Sequence, residues 1–252
     1  MSKIVLITGA TAGIGLSTAH LFAKNNFNLI ITGRRKDRLD ELERELRSGY
    51  KIKVLSLNFD VRKLNEVEDK LGKLPGEWKD IDILVNNAGL AVGLSHIDNG
   101  VIDDWERMID TNIKGLLYVT RIISPLMVKR NKGHILNIGS IAGKEVYENG
   151  NVYCASKYAV DALSKAMRID FVKNNIKVTN IAPGMVDTEF SLVRFKGDEE
   201  KAKVPYNGMK PLTGDDIADV IYYCATLPEH VNINDVLIMP TSQASATIVD
   251  RK

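Results

Sequence analysis

The chain has 252 residues, with 34 Lys and Arg against 32 Asp and Glu and a formal net charge of +2. Charges so balanced and interspersed leave no electrostatic footprint for nucleic acid or a membrane surface, and two cysteines, Cys154 and Cys224, offer neither metal-ligand spacing nor a disulfide framework. The length suits one α/β domain with a sizeable core, and with no apolar run near ~18 residues the expectation is a soluble, unprocessed, cytoplasmic protein without a metal.

Ile4-Val5-Leu6-Ile7 reads as a buried strand that runs into the turn Thr8-Gly9-Ala10-Thr11-Ala12-Gly13-Ile14-Gly15 and a helix from Leu16 to Ala23. A strand, glycine-rich turn and helix in that order form a site for a dinucleotide pyrophosphate, because glycines let backbone approach phosphate and helix N-terminal N–H groups carry partial positive charge. The spacing Gly9-x-x-x-Gly13-x-Gly15 departs from the usual Gly-x-Gly-x-x-Gly, so by itself the turn is a weak signal. The next strand, Leu29 to Ile31, ends at Thr32-Gly33-Arg34-Arg35. An NAD enzyme typically places a carboxylate there for the ribose hydroxyls; two guanidiniums suit a 2′-phosphate and predict NADP. Arg34 and Arg35 could instead merely open the exposed amphipathic helix Arg34 to Arg47, although positive charge at a helix N-terminus opposes the macrodipole.

Further strands are read at Val54 to Leu57, Ile83 to Val85, Ile135 to Ile138, Val178 to Ile181 and Val236 to Met239, and helices at Asn112 to Lys129 and Val152 to Val172. That alternation means βαβ units and a doubly wound parallel sheet with helices on both faces. Asn86 and Asn87 should end the fourth strand with structural hydrogen bonds. Tyr153 and Lys157, at i and i+4, put a phenol and an ammonium on one helical face; the bland alternative is an amphipathic helix with a snorkelling lysine. The polar, irregular insertion Val186 to Leu212 leaves the carboxyl end of the sixth strand, where ligands bind, and is expected to be a substrate lid. His20, His96, His134 and His230 lack ligand spacing and read as structural or exposed, and Cys154 carries no assigned chemistry.

Thr8 to Gly15, Asn86-Asn87-Ala88-Gly89, Asn112, Ser140, Tyr153-x-x-x-Lys157 and Pro183-Gly184 together resemble the short-chain dehydrogenase/reductase family over almost the whole chain. The resemblance implies a single-domain Rossmann fold with a seven-stranded sheet of order 3-2-1-4-5-6-7, a nicotinamide cofactor, and a catalytic tetrad at Asn112, Ser140, Tyr153 and Lys157. Thr32 to Arg35, Asn87 to Ala91, Gly150 to Tyr153, Thr188 to Asp198 and Leu227 to Asn234 are similar to the branch of NADP-dependent 3-hydroxy acid dehydrogenases. Met239-Pro240-Thr241 replaces the wider family's Asp-Gly-Gly, a change that this branch shares. The cofactor positions implied are Gly9, Ala10, Thr11, Ala12, Gly13, Ile14, Gly15, Arg34, Arg35, Asp60, Val61, Asn87, Ala88, Gly89, Tyr153, Lys157, Pro183, Gly184, Val186 and Thr188. Asp60 would accept a hydrogen bond from adenine, or else cap the next helix. A homotetramer is implied as well, its dimers paired through the helices Asn112 to Lys129 and Val152 to Val172.

Hydride exchange between an alcohol carbon and nicotinamide needs a group that takes or gives the hydroxyl proton, and a tyrosine of ordinary pKa, about 10, is too weakly acidic without help. Lys157 and the positive oxidised nicotinamide should lower the pKa of Tyr153, and Lys157 can hold ribose hydroxyls. Ser140 can bond the substrate oxygen, or be a plain turn residue in Gly139-Ser140-Ile141-Ala142-Gly143. Asn112, opening its helix after Asp110-Thr111, resembles the family residue that anchors a water linking Lys157 to solvent, or is a simple cap. Ser140 and Tyr153 are the expected substrate contacts, and Arg194 in the insertion is the candidate partner for a substrate carboxylate, although Arg194 and Lys196 could both be surface charges. The expected function is oxidation of the β-hydroxyl of a short 3-hydroxy acid (serine, a threonine isomer or 3-hydroxyisobutyrate) with NADP, or the reverse reduction. The alternatives are a broad carbonyl reductase and a non-catalytic NADP(H) sensor.

Overall fold

The computed structural model describes residues 2–252. Its strands β1 (Ile4–Ile7), β2 (Asn28–Gly33), β3 (Val54–Asn58), β4 (Ile81–Asn86), β5 (Gly133–Ile138), β6 (Ile176–Pro183) and β7 (Asp235–Ile238) form one parallel sheet of order β3-β2-β1-β4-β5-β6-β7, as expected. The central strands are largely apolar because helices cover both faces, whereas the edge strands β3 and β7 are partly exposed. On β1, Val5 and Ile7 enter one core and Ile4 and Leu6 the other, the period-two alternation of a strand. The first core is filled by α1 (Gly13–Lys24), α2 (Lys36–Gly49) and α9 (Gly214–Thr226) through Phe22, Leu39, Leu42, Ile217 and Ile221. The second takes Val67 and Leu71 from α3 (Leu64–Leu71), Val119, Ile123 and Met127 from α5 (Leu116–Arg130), and Val160 and Met167 from α6 (Asn151–Phe171).

Strand order reverses around β1, between β2 on one side and β4 on the other. That switch opens a crevice beyond the carboxyl ends of the strands. Close packing of the first turn shapes it: an added Cβ at Gly15 would collide with Asn87 Nδ2 and the Gly9 carbonyl oxygen.

Two sequence expectations need correction. The helix read from Asn112 begins earlier, because α4 (Ile102–Ile109) continues through a π-turn at Asp110–Gly115 into α5. Asp110-Thr111-Asn112 looks like a helix start, but Asn112 lies inside a continuous helical stretch and caps nothing. The insertion at 186–212 is more regular than its composition suggests. A parallel bridge between Val186 and Leu212 closes it, and it contains α7 (Glu189–Arg194) and α8 (Glu199–Lys203), capped by the side chains of Thr188 and Asp198. Among the described residues no helix is long and apolar enough to cross a membrane.

Because the Gly15 contacts are with backbone and with a side chain already in use, Gly15→Ala should cost about 1–3 kcal/mol, the usual scale of overpacking. Urea unfolding checks this, and an unchanged midpoint would show that α1 can move aside.

Candidate active site

Beyond β1 the chain turns at Gly9 (φ +67°) and enters α1 through Gly13 (φ +51°). The N-cap Ala12 offers no side-chain oxygen and the first turn holds no acid, so the leading N–H groups of α1 are left for an anionic ligand. Thr8 Oγ1 accepts hydrogen bonds from the N–H groups of Asn87 and Ala88, and Asn87 Nδ2 donates to the carbonyls of Thr8 and Gly9. Asn86 Nδ2 donates to Thr120 and Asn137. Both asparagines thus end β4 structurally, as expected.

A cavity of about 830 Å³ runs along this edge. It is lined by Gly9, Thr11, Ala12, Gly13, Ile14, Arg34, Arg35, Asp60, Val61, Asn87, Ala88, Gly89, Ser140, Tyr153, Lys157, Pro183, Gly184, Val186, Thr188 and Arg194, which gathers nearly all of the expected site. Three expected residues lie behind the wall. Ala10 is fully buried in the first core, Gly15 packs against Asn87, and Asn112 is buried as a strut. Arg62, Tyr147, Glu189, Phe190 and Tyr206 line the cavity without having been anticipated. Arg62, Glu189 and Phe190 adjoin expected residues, Val61 and Thr188, so proximity in sequence was the signal available, whereas Tyr147 and Tyr206 reach the site only through tertiary contact.

At one end the cavity is cationic. Arg34 Nη1 lies 3.9 Å from Asp60, and Arg35 donates to Thr11 and Glu189. Asp60 does not cap α3, whose N-cap is Lys63; its carboxylate accepts from Arg62 Nε and Nη2 instead. Burial pushes the Asp60 carboxyl up, but the Arg62 hydrogen bonds and the charges of Arg62 and Arg34 together hold it below the ordinary range.

At the other end burial dominates. Tyr153 and Lys157 are buried on α6, and Lys157 Nζ donates to the Ile138 carbonyl at 2.9 Å and stands 5.9 Å from the Tyr153 ring centroid. Burial raises the Tyr153 pKa above its usual value and lowers that of Lys157 to about 8, since a low-dielectric setting disfavours both charged forms. Burial therefore outweighs the lowering expected of Lys157, and the lowering expected of the oxidised nicotinamide belongs to the bound coenzyme. The opposing influences are a hydrogen bond with Ser140 and the charge of Arg194, and burial exceeds both. Ser140 Oγ accepts from Ala142 N, capping the 3₁₀ turn Ile141–Gly143, and donates to the Pro183 carbonyl at 3.5 Å, and the residue lines the cavity together with Tyr153. Asn112 Oδ1 accepts from Leu90 N, and its Nδ2 donates to Leu90 O and Ser156 Oγ. Its amide is spent tying the π-turn to the chain after β4 and to α6.

Arg194 and Lys196 diverge. Lys196 Nζ pairs with the buried Asp104 at 2.7 Å. Arg194 turns into the cavity: Nη2 donates to Tyr147 Oη at 2.8 Å, and the guanidinium lies 5.3 Å over the Tyr147 ring and 5.5 Å over the Tyr153 ring. Its Nε is buried without a partner. A buried cationic donor left open beside a phenol is a ready place for an anionic group on a ligand. Phe190, with its ring 5.7 Å from that of Tyr153, closes the same corner. The C-terminal tail holds the far end of the insertion, where Arg251 donates to the carbonyls of Pro205 and Asn207. His134 is buried beside Thr179, where burial holds its pKa down at about 3 and keeps it neutral. Among the described residues no cluster of three His, Cys, Asp or Glu side chains could hold a metal.

Residues 3–198 match the model of the short chain dehydrogenase family. The chain is 50% identical over 244 residues to an NADP-dependent 3-hydroxy acid dehydrogenase of Salmonella typhi, covering 96% of this chain and 97% of that protein. It is 44% identical to sulfoacetaldehyde reductase 2 of Chromohalobacter salexigens over the full length of both. The solved closed form of a serine dehydrogenase complexed with NADP+ superposes with a TM-score of 0.92 at 47% identity, over 99% of both chains.

The depressed Lys157 pKa has a consequence for stability. Between about pH 8 and the unfolded value of 10.5 the folded state binds fewer protons at this site than the unfolded state, so the site's contribution to stability rises with pH through that window. Wild type should therefore gain on Lys157→Met by roughly 2–3 kcal/mol from pH 8 to 10.5. Urea unfolding of both proteins across that range tests it, and a constant difference would mean that Lys157 is not buried.

Proposed function

The chain belongs to the short-chain dehydrogenase family, and on that premise we propose that it is an NADP-dependent oxidoreductase acting on the β-hydroxyl, or the corresponding carbonyl, of a short 3-hydroxy acid. The Arg194 guanidinium, in the cavity wall beside Tyr153 and with its Nε unpaired, carries this reading, because it offers a carboxylate a charged partner at the reacting end of the cavity.

The residues present fit the coenzyme. The uncapped start of α1 and the turn Gly9–Gly15 suit a pyrophosphate, and no carboxylate ends β2, where Arg34 and Arg35 stand ready for a 2′-phosphate. Asp60 and Val61 would flank the adenine, Asn87 to Gly89 and Lys157 the ribose hydroxyls, and Pro183, Gly184, Val186 and Thr188 would close the nicotinamide end. When bound, NADP supplies the hydride acceptor and NADPH the donor. In reduction the phenol of Tyr153, favoured by burial, gives its proton to the substrate oxygen and becomes phenolate; in oxidation that phenolate, with the Lys157 ammonium nearby, takes the proton from the substrate hydroxyl. Ser140 holds that oxygen, Lys157 supplies positive charge one helical turn away, Asn112 fixes the chain around them, and the insertion at 186–212 excludes water as a lid.

Similarity to a sulfoacetaldehyde reductase favours a second reading, a short sulfonate aldehyde as substrate, because the same guanidinium can pair with a sulfonate. The proposal includes a cytoplasmic location and a homotetramer, the association supported by exposed apolar side chains at Leu117 on α5 and at Tyr158 and Ile169 on α6.

Arg194→Leu should raise the KM for serine or 3-hydroxyisobutyrate by at least about tenfold, the effect of losing a charge-assisted hydrogen bond, and spare the reduction of an uncharged aldehyde. Steady-state kinetics with both substrates decide it; equal losses would make Arg194 a structural residue.

A further inference from the structure

Glu189, the first residue of α7, accepts a hydrogen bond from Arg35 Nη1 at 2.7 Å and another from Arg38 Nη1 at 2.5 Å. The same Arg35 guanidinium donates through Nε and Nη2 to Thr11, both to its hydroxyl and to its carbonyl. One side chain thus bridges the glycine-rich turn and the insertion. The preceding residue presses on that turn too: a Cβ at Gly13 would lie 3.0 Å from Thr188 Cγ2. Thr11, Arg35 and Glu189 all line the cavity, so this ion pair crosses the groove at its cationic end, whereas Arg38 stands behind Glu189, off the cavity wall.

The far side of α7 faces the chemistry. Phe190 packs on Tyr153, and Arg194 lies over the same ring. A helix of six residues is a short rigid strut, so an anchor at its first residue also sets where Phe190 and Arg194 stand. Electrostatics permits the anchor to persist with a phosphate nearby. Arg34, Arg35, Arg38 and Arg62 against Asp60 and Glu189 leave a surplus of two positive charges, enough to balance a phosphate dianion without releasing Glu189.

We propose that Glu189 is a latch whose ion pairs with Arg35 and Arg38 tie the insertion across the coenzyme groove, so that coenzyme release waits for them to break. The proposal rests on the NADP reading, and its test separates the two. NADPH dissociation would be followed by stopped-flow fluorescence after trapping with excess NADP+, in wild type, Glu189→Gln, Arg38→Met and the double variant, and repeated with NADH. Breaking two half-exposed ion pairs should speed dissociation about three- to tenfold in Glu189→Gln, and less in Arg38→Met. The double variant should be no faster than Glu189→Gln, because both remove one shared interaction. NADH should leave faster by a similar factor, since the latch does not read the phosphate. Unchanged rates in both single variants would overturn the latch. So would tighter NADPH binding in Glu189→Gln with NADH unaffected, which would make Glu189 only a competitor of the phosphate for Arg35. Wild type that fails to bind NADPH would instead contradict the coenzyme reading beneath it.

Discussion

Burial of Tyr153 and Lys157 together, each less than a tenth exposed, is the constraint around which the reacting end is built. Burial disfavours the charged form of each, and the surrounding chain orients them in place of solvent. The chain after β5 does much of this. The Ile138 carbonyl holds Lys157, Ser140 is fixed by Ala142 N and the Pro183 carbonyl, and Gly143 lies so close that a Cβ would come within 2.6 Å of the Lys157 carbonyl oxygen. One residue further on, Lys144 pairs with Asp161 on α6 and with Asp235 on β7, fixing the loop that carries Ser140 to the helix that carries Tyr153. On the other side Asn112 joins Leu90 and Ser156. A phenol positioned this firmly needs little reorganisation when a proton moves.

The opposite end obeys another logic. Its arginines are half exposed and paired with Asp60 and Glu189, so they stay charged and can exchange partners when an anion arrives. Charge is thus exposed and paired where a phosphate would bind, whereas where a proton would transfer the cations Lys157 and Arg194 stand beside a phenol that burial keeps neutral. The helix α7 spans the two regimes, with Glu189 among the arginines and Arg194 over Tyr153.

The fold was legible in the sequence because strands buried on both faces read as continuous apolar runs, and each fell where expected to within a residue or two at its ends. Strand order and the Asn112, Ser140, Tyr153 and Lys157 positions came from the family resemblance, not from periodicity. What stayed hidden depends on tertiary contact. Glu189 meets Arg35 and Arg38 across more than 150 residues of chain. Arg194 and Lys196, two apart and alike in charge, part ways because Asp104 lies beneath one and Tyr153 beneath the other. The π-turn mimicked a helix start, since Asp110-Thr111-Asn112 are residue types that favour caps. A spacing of four residues placed Tyr153 and Lys157 on one face, yet it could not show that desolvation outweighs their mutual charge.

The central claim is that the buried phenol of Tyr153 transfers the proton while the coenzyme groove stands independently of it. Measuring turnover and NADPH affinity together in Tyr153→Phe tests this most directly, because only the hydroxyl is removed. The account predicts that kcat falls by at least the ~10²-fold expected for loss of a general acid/base, with NADPH binding within a few-fold of wild type. Near-normal turnover in that variant would contradict it.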